Sequence, residues 1–172
     1  MEKRVLIRRP VEEVFEYVTD YNNSCFYLGP SFYLQAAGPG PYGIGTPVVA
    51  AFNYLGVNIK LLYIVQEFQP NKKLRLVAQG QNVNGITIDS EVVWRFKAEG
   101  LAATQVSFAL EITPRYQVFA RMTSLIVEPV INAVRSSVSL MLSGSMLRLK
   151  QTLEMVPSES VNLREVQSAN KD

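Results

Sequence analysis

The sequence contains no histidine and only one cysteine among its 172 residues. These shortages exclude a zinc site built from histidine and cysteine, an intramolecular disulfide, and a Ser-His or Cys-His nucleophile pair. We therefore expect no metal ion and no cofactor. The single thiol, Cys25, stands beside Phe26, Tyr27 and Leu28, and this apolar setting favours a small buried side chain over a nucleophile.

A strong excess of charge of either sign is also missing. The 17 basic and 15 acidic residues give a formal net charge of +2, which is too small and too scattered to indicate binding to nucleic acid. One basic cluster occurs near the start, and we interpret it as a solvated surface; it consists of Lys3, Arg4, Arg8 and Arg9. No nucleic-acid partner is predicted.

No uninterrupted hydrophobic run is long enough to cross a membrane. The most apolar stretch, residues 130–147, is broken by Asn132, Arg135 and several serines, which is typical of a packed amphipathic helix. The first residues offer an apolar run of only three, Val5 to Ile7, too short for the core of a signal peptide. We expect a cytoplasmic protein with no integral membrane segment.

One domain is expected, because 172 residues with 48% hydrophobic composition can bury one substantial core and are too few for two. We place this domain at residues 1–156. Residues 157–172 are polar and poor in aromatic side chains, which predicts a disordered tail.

The middle of the chain alternates between apolar runs and turn residues, which predicts antiparallel strands joined by short turns. Asn84-Gly85 is the strongest hairpin signal, because a type I′ turn needs positive φ at both central residues. A short helix after Arg9-Pro10 carries Val11, Val14, Phe15 and Val18 on one face. The predicted strands are residues 4–7, 32–36, 47–54, 57–68, 73–80, 86–97 and 104–112.

Alternation within these strands predicts one apolar face for the sheet. In the run 86–97, Ile88, Ser90, Val92, Trp94 and Phe96 share the inner face, and charged residues share the other. The runs 57–65, 74–78 and 106–112 repeat the pattern, with Tyr63 as a polar-tipped residue on the inner face. One side of the sheet must therefore be covered.

A long helix is predicted over residues 117–154, because polar residues recur there at three- and four-residue steps. About 40 residues at about 1.5 Å each would make a rod near 60 Å, so we expect a bend at Pro129. The predicted buried face carries Phe119, Met122, Ile126, Val130, Ala133, Ser137, Leu140, Met141 and Gly144.

The glycine-rich segment 38–43 satisfies the spacing G-x-G-x-x-G but does not indicate nucleotide binding. It contains two prolines and leads into a predicted strand, so no helix N-terminus is available for a phosphate. We interpret it as a loop shaped by glycine and proline.

Four stretches of sequence resemble the polyketide cyclase/dehydrase-like branch of the START-related helix-grip superfamily, also called SRPBCC. They are IRRPVEEVFEYVTD at residues 7–20, GIGT at 43–46, VQEFQPNKKL at 65–74 and LRLKQTLE at 147–154. The resemblance implies an α+β helix-grip fold: a curled antiparallel sheet of about seven strands around a long C-terminal helix, with short helices after the first strand. It also implies a cavity for a hydrophobic ligand between sheet and helix.

The resemblance and the predicted inner faces together suggest a protein that binds or carries a hydrophobic small molecule or lipid. A polyketide cyclase or dehydratase-like enzyme and a protein-interaction module remain alternatives. The candidate ligand-binding residues are Tyr54, Tyr63, Ser90, Trp94, Phe119, Met122, Ile126, Val130, Ala133, Ser137 and Met141.

No catalytic residue is assigned, because the inner strand positions offer almost no titratable groups for acid–base chemistry. Asp89, Glu91 and Arg95 fall on the opposite face of the sheet. The inner hydroxyls, Tyr63, Ser90 and Ser137, are more typical of core hydrogen bonding than of catalysis. Arg148 falls near the predicted buried side of the helix.

Truncation after Val156 should leave the melting temperature nearly unchanged, since the tail offers no apolar face for docking. Thermal unfolding of the full chain and of residues 1–156 measures the difference. A loss of more than about 5 °C, roughly 1.3–2.5 kcal/mol in a domain of this size, would show that the tail docks.

Overall fold

The computed structural model describes residues 1–29, 32–36, 42–54, 57–83, 86–115 and 124–155. At residues 53–54, 57–58, 83, 86, 114–115 and 124–135 it describes the backbone alone. The predicted tail, the glycine loop up to residue 41 and the Asn84-Gly85 turn lie outside the described residues.

The first quarter of the chain forms one strand and three short helical segments. β1 (Glu2–Ile7) is followed by α1 (Val11–Thr19), a 3-10 turn (Tyr21–Asn23) and α2 (Ser24–Leu28). Pro10 occupies the N-cap position of α1, and Glu12 and Glu13 lie in its first turn, where negative charge is favourable. The predicted buried face of this helix is confirmed at its three residues Val14, Phe15 and Val18.

The described residues form a seven-stranded antiparallel sheet in the order β1-β7-β6-β5-β4-β3-β2. From β2 to β7, strands that follow each other in the chain are also neighbours in the sheet, as the short turns predicted. β1 pairs with β7 at one edge. The strands after β1 are β2 (Phe32–Ala36), β3 (Pro47–Tyr54), β4 (Val57–Gln69), β5 (Lys73–Val83), β6 (Ile86–Ala98) and β7 (Thr104–Arg115).

The sheet is curled, and its pairing is irregular on both sides of β5. The register between β4 and β5 shifts between Val65 and Glu67, and the register between β5 and β6 shifts between Ala78 and Gln81. Gly80 lies at the second shift with φ 61°, a conformation that glycine adopts without steric cost. Such bulges bend a strand and increase its twist, so they favour the curl.

α3 (Ser124–Met155) is a 32-residue helix, and its C-terminal half packs into the core cluster shared with the sheet. The helix is continuous through Pro129, and a bend there stays a prediction. Its described buried residues recur at three- and four-residue steps, as expected for one helical face. They are Val138, Leu142, Ser145, Met146, Leu149 and Leu153.

The segment after β1 ties the end of α3 to the sheet. The Arg9 Nε donates a hydrogen bond to the Leu153 carbonyl at 2.8 Å, and the Arg8 N–H donates to the Glu154 carboxylate at 2.8 Å. The Thr104 hydroxyl donates to the Arg9 carbonyl at 2.8 Å, which links the same segment to β7. The interpretation of Arg9 as part of a solvated cluster is wrong, because its side chain is only 12% exposed.

The predicted buried face of α3 is wrong at Ser137 and Leu140, whereas Met141 and Gly144 of the same predicted face are half-buried. Ser137 and Leu140 are exposed, Leu140 by 76%, and Arg148 is also exposed. The true face is rotated from the predicted one by about 140° at 100° per residue. Apolar residues occur almost all round this helix, with Leu140 and Leu147 on the outside, so the polar pattern could not fix its orientation.

Cys25 is exposed, which contradicts its predicted burial. In α2 the buried residues are Ser24, Tyr27 and Leu28, the i, i+3 and i+4 positions of one face. Cys25 lies on the other side of this helix. The apolar residues next to Cys25 in sequence therefore did not indicate that Cys25 itself is buried.

Ser24 connects α2 to β2 through two hydrogen bonds. Its hydroxyl accepts from the Leu34 N–H at 3.0 Å and donates to the Leu34 carbonyl at 3.3 Å. Ser24 is 2% exposed. Its side chain therefore satisfies both backbone groups of Leu34 away from β3.

Replacing Ser24 with Ala should lower the free energy of unfolding by about 1–3 kcal/mol, because it leaves a backbone donor and acceptor without this partner. Urea unfolding measures the change. Ser143→Ala is the matched control, since the Ser143 hydroxyl bonds a carbonyl of its own helix at an exposed position; it should change stability by less than about 0.5 kcal/mol. Equal effects of the two substitutions would contradict the expectation.

Candidate ligand-binding site

An internal cavity of about 60 Å³ lies between the inner face of the sheet and α3. This exceeds the roughly 10–15 Å³ that one water molecule requires. Apolar side chains dominate its wall, together with the hydroxyls of Tyr21, Tyr63 and Ser145. The described lining residues are Val18, Tyr21, Leu28, Phe32, Leu34, Ala50, Phe52, Leu61, Tyr63, Leu74, Leu76, Val92, Trp94, Phe108, Leu110, Ile112, Val138, Met141, Leu142 and Ser145.

Trp94 forms a rigid part of this wall. It is 2% exposed and lies on the inner face of β6. Its ring meets Phe108 edge-on at 4.4 Å between centroids, and Tyr27 edge-on at 6.0 Å. Such edge-to-face pairs add to the energy of apolar burial, so they fix the position of the indole.

Tyr63 and Ser90 form the buried polar pair of the site. The Tyr63 hydroxyl lies 2.8 Å from the Ser90 hydroxyl, which donates to the Glu111 carbonyl at 3.0 Å. Burial raises the pKa of Tyr63. Tyr63 therefore stays neutral at physiological pH and is no general base there.

Ser145 and Tyr21 supply the other hydroxyls of the wall. The Ser145 hydroxyl donates to the Met141 carbonyl at 2.9 Å and lies 3.4 Å from the Leu28 carbonyl. The Tyr21 ring meets Tyr42 edge-on at 4.8 Å, and burial raises the pKa of Tyr21. The wall thus has no charged group among its described residues at neutral pH.

A polar surface groove of about 390 Å³ lies next to the cavity. Tyr21 and Leu34 line both spaces, so these two side chains separate them. Asn22, Gln35 and the exposed Cys25 line the groove.

The predicted site residues divide into three groups in the structure. Tyr63, Trp94 and Met141 line the cavity, and Ser90 is buried behind Tyr63. Ser137 is exposed, which contradicts its predicted place on the buried, ligand-binding face of the helix. The side chains of Tyr54, Ile126, Val130 and Ala133, and all of Phe119 and Met122, lie outside the described residues.

Sequence reasoning missed several lining residues. Val18 was predicted to be buried but was not connected with the site, because only tertiary packing brings α1 to the sheet. Leu142 and Ser145 were missed because the helix face was placed incorrectly. Ala50 on β3 was detectable from alternation, since it shares a face with Val48 and Phe52.

No family model matches the sequence, and no curated protein sequence matches it. Solved structures do match its fold. The Zhui aromatase/cyclase from Streptomyces sp. R1128 superposes with a TM-score of 0.67 at 14% identity, covering 88% of this chain and 93% of that one. A START superfamily protein from Mycobacterium smegmatis gives 0.59 at 14% identity, covering 87% and 97%. The di-domain ARO/CYC BexL from the BE-7585A biosynthetic pathway gives 0.60 at 15% identity, covering 91% of this chain and 46% of that one.

The chain has the START-like helix-grip fold. The fold expected from the sequence resemblance is therefore confirmed: a curled antiparallel sheet with a C-terminal helix and short helices early in the chain. In this helix-grip domain the cavity lies where sheet and helix face each other. No helix in the described part of the chain is long and apolar enough to span a membrane.

The buried tyrosines should make stability fall at alkaline pH. Burial raises the pKa of Tyr21, Tyr27 and Tyr63, so the folded state holds these protons more tightly than the unfolded state, where the tyrosine pKa is about 10. Their stabilising contribution is complete below pH 10 and is lost as the pH rises above it. Urea unfolding between pH 8 and 11 measures this loss.

Tyr27→Phe separates this effect from the titration of lysines. It should flatten the alkaline fall in the free energy of unfolding, while Tyr33→Phe, at a residue 44% exposed, should leave it as in the wild type. The same slope in both variants would contradict the assignment to buried tyrosine.

Proposed function

We propose that this helix-grip domain binds a small hydrophobic molecule in the cavity between the sheet and α3. The supporting observation is the cavity itself, because a protein interior of ordinary packing density leaves few voids larger than a water molecule. Its described wall is apolar apart from the hydroxyls of Tyr21, Tyr63 and Ser145 and the indole N–H of Trp94. Pockets for small molecules combine an apolar lining with a few polar groups in this way.

The cavity must expand to take a ligand of ordinary size. Its 60 Å³ is well below the roughly 300–1,000 Å³ of typical ligand pockets. Met141 is the most adaptable side chain of the described wall, since methionine is unbranched and has three rotatable bonds, and it is only half-buried. Movement of Met141, and of Tyr21 toward the surface groove, would provide the space.

Binding without turnover fits the site better than catalysis. The Tyr63–Ser90 pair is the observation that favours a cyclase of the kind named among the structural neighbours. However, the described wall offers no carboxylate, lysine or arginine, and burial raises the Tyr63 pKa away from neutrality. A group with a pKa near the working pH, which general acid–base catalysis favours, is therefore lacking among the described lining residues.

Extraction of the purified protein, followed by mass spectrometry, is the direct test of this function. A co-purified lipid, polyketide or other apolar compound is the expected result. Trp94, the only tryptophan of the chain, reports rebinding through its fluorescence, because it forms part of the cavity wall. Turnover of the bound compound would establish the cyclase alternative, and failure to bind any apolar compound would favour the interaction module.

Filling the cavity should abolish binding and leave the fold intact. Ala50 is 3% exposed and lines the cavity, so Ala50→Leu places about three additional carbons in the void without creating a new one. We expect loss of the Trp94 response to an uncharged apolar probe such as N-phenyl-1-naphthylamine, with little loss of stability. Ala98→Leu, at an exposed position of β6, is the matched control and should bind normally.

Strong destabilisation by Ala50→Leu would contradict this expectation. Overpacking a closed core costs about 1–3 kcal/mol, whereas a ligand-accepting space tolerates the extra side chain. Urea unfolding of both variants distinguishes the two cases.

A further inference from the structure

The two contacts of Ser90 determine the direction of the hydrogen bonds in the cavity wall. A carbonyl oxygen can only accept, so the Ser90 hydroxyl must direct its single proton to the Glu111 carbonyl, 3.0 Å away. The Ser90 oxygen then faces Tyr63 as an acceptor at 2.8 Å. Tyr63 must therefore donate its own proton to Ser90.

This proton order decides what Tyr63 can offer a ligand. Its only proton is engaged, so its oxygen presents a lone pair and no donor. The alternative order would place the Ser90 and Glu111 oxygens 3.0 Å apart with no proton between them, and a buried polar contact of this kind is costly. Tyr63 is 5% exposed, so water does not compete freely for this position.

The proton of the Ser145 hydroxyl is likewise used in a hydrogen bond to a backbone carbonyl. Its proton is directed to the Met141 carbonyl, with the Leu28 carbonyl close by. Tyr63 and Ser145 thus each present a hydrogen-bond acceptor and no available proton, and the indole N–H of Trp94 is a donor elsewhere in the described wall. Tyr21 is the remaining hydroxyl of the described wall, and it also lines the surface groove.

We infer that the Tyr63 end of the cavity selects ligands that present a hydroxyl or another hydrogen-bond donor over ligands of the same shape that present only a carbonyl oxygen. A hydroxyl can donate to the Tyr63 oxygen, whereas a carbonyl at the same position meets another acceptor and gains no hydrogen bond there. This inference rests on the proposed binding function and narrows its ligand class. Ser90 acts through Tyr63 and is a positioning residue.

Cyclohexanol and cyclohexanone provide a matched test, because they have the same number of heavy atoms and differ only in donor capacity. The indole N–H signal of Trp94 in an NMR titration gives both dissociation constants. The ratio of the two affinities is compared between proteins, so that the difference in aqueous solvation of the two probes cancels. We expect the ratio of cyclohexanol affinity to cyclohexanone affinity to be about fivefold higher in the wild type than in Tyr63→Phe. A difference of this size corresponds to one hydrogen bond.

Ser90→Ala gives a second and opposite expectation. Without the Ser90 acceptor the Tyr63 proton is released toward the cavity, so the relative affinity for cyclohexanone should rise above that of the wild type. Tyr21→Phe removes the other tyrosine hydroxyl of the wall and should leave the wild-type ratio unchanged. These shifts in preference test the direction of hydrogen bonding, which a purely structural role of the pair would not affect.

The outcomes separate the inference from the proposed function. Binding of both probes with equal ratios in wild type, Tyr63→Phe and Ser90→Ala would overturn the inference and leave the binding function intact. No binding of either probe to the folded wild type would overturn the inference and count against the cavity as a binding site. A changed ratio in Tyr21→Phe alone would place the selective contact at the groove and would also overturn the inference.

Discussion

Burial of one face of α3 against the inner face of the sheet is the interaction on which the rest of the structure depends. Leu149 is fully buried and Leu142 is 4% exposed, and burial of such a side chain contributes about 1.5–3 kcal/mol. The hydrogen bonds from Arg8 and Arg9 fix the end of the same helix. Because the seven strands expose one apolar face, they require this helix as their cover.

α3 covers the inner face of the sheet without a gap only toward its C-terminal end, and the cavity lies beside an earlier part of the helix. Toward the end of α3, Met146, Leu149 and Leu153 belong to the core. The described lining residues of α3 lie earlier, from Val138 to Ser145, opposite Tyr63 and Trp94. The space left there between the sheet and α3 is the cavity.

The sheet could be predicted from the sequence because strand alternation has a short, rigid period. Tyr63, Ser90 and Trp94 were placed on the inner face from this period alone, and all three are buried there. The helix could not be oriented in the same way. Small errors in phase accumulate along 32 residues, and Leu140 and Leu147, apolar but exposed, removed the contrast between its faces.

The proton order of the Tyr63–Ser90 pair was also beyond sequence reasoning. It depends on the Glu111 carbonyl, a backbone group whose position is set by the pairing of β6 with β7. The contribution of Val18 and Leu28 to the wall likewise depends on packing between distant segments. Local pattern predicts which residues face inward, whereas tertiary structure decides which of them meet.

The contact between Ser24 and Leu34 has a further consequence for how this protein behaves among its own copies. β2 is an edge of the sheet, and the backbone groups at an open edge can pair with a strand of another molecule. Because the N–H and the carbonyl of Leu34 are both bonded to Ser24, the middle residue of this five-residue strand cannot pair with a strand of another molecule. The Ser24 hydroxyl thus blocks this position of the β2 edge against pairing with a strand of another copy.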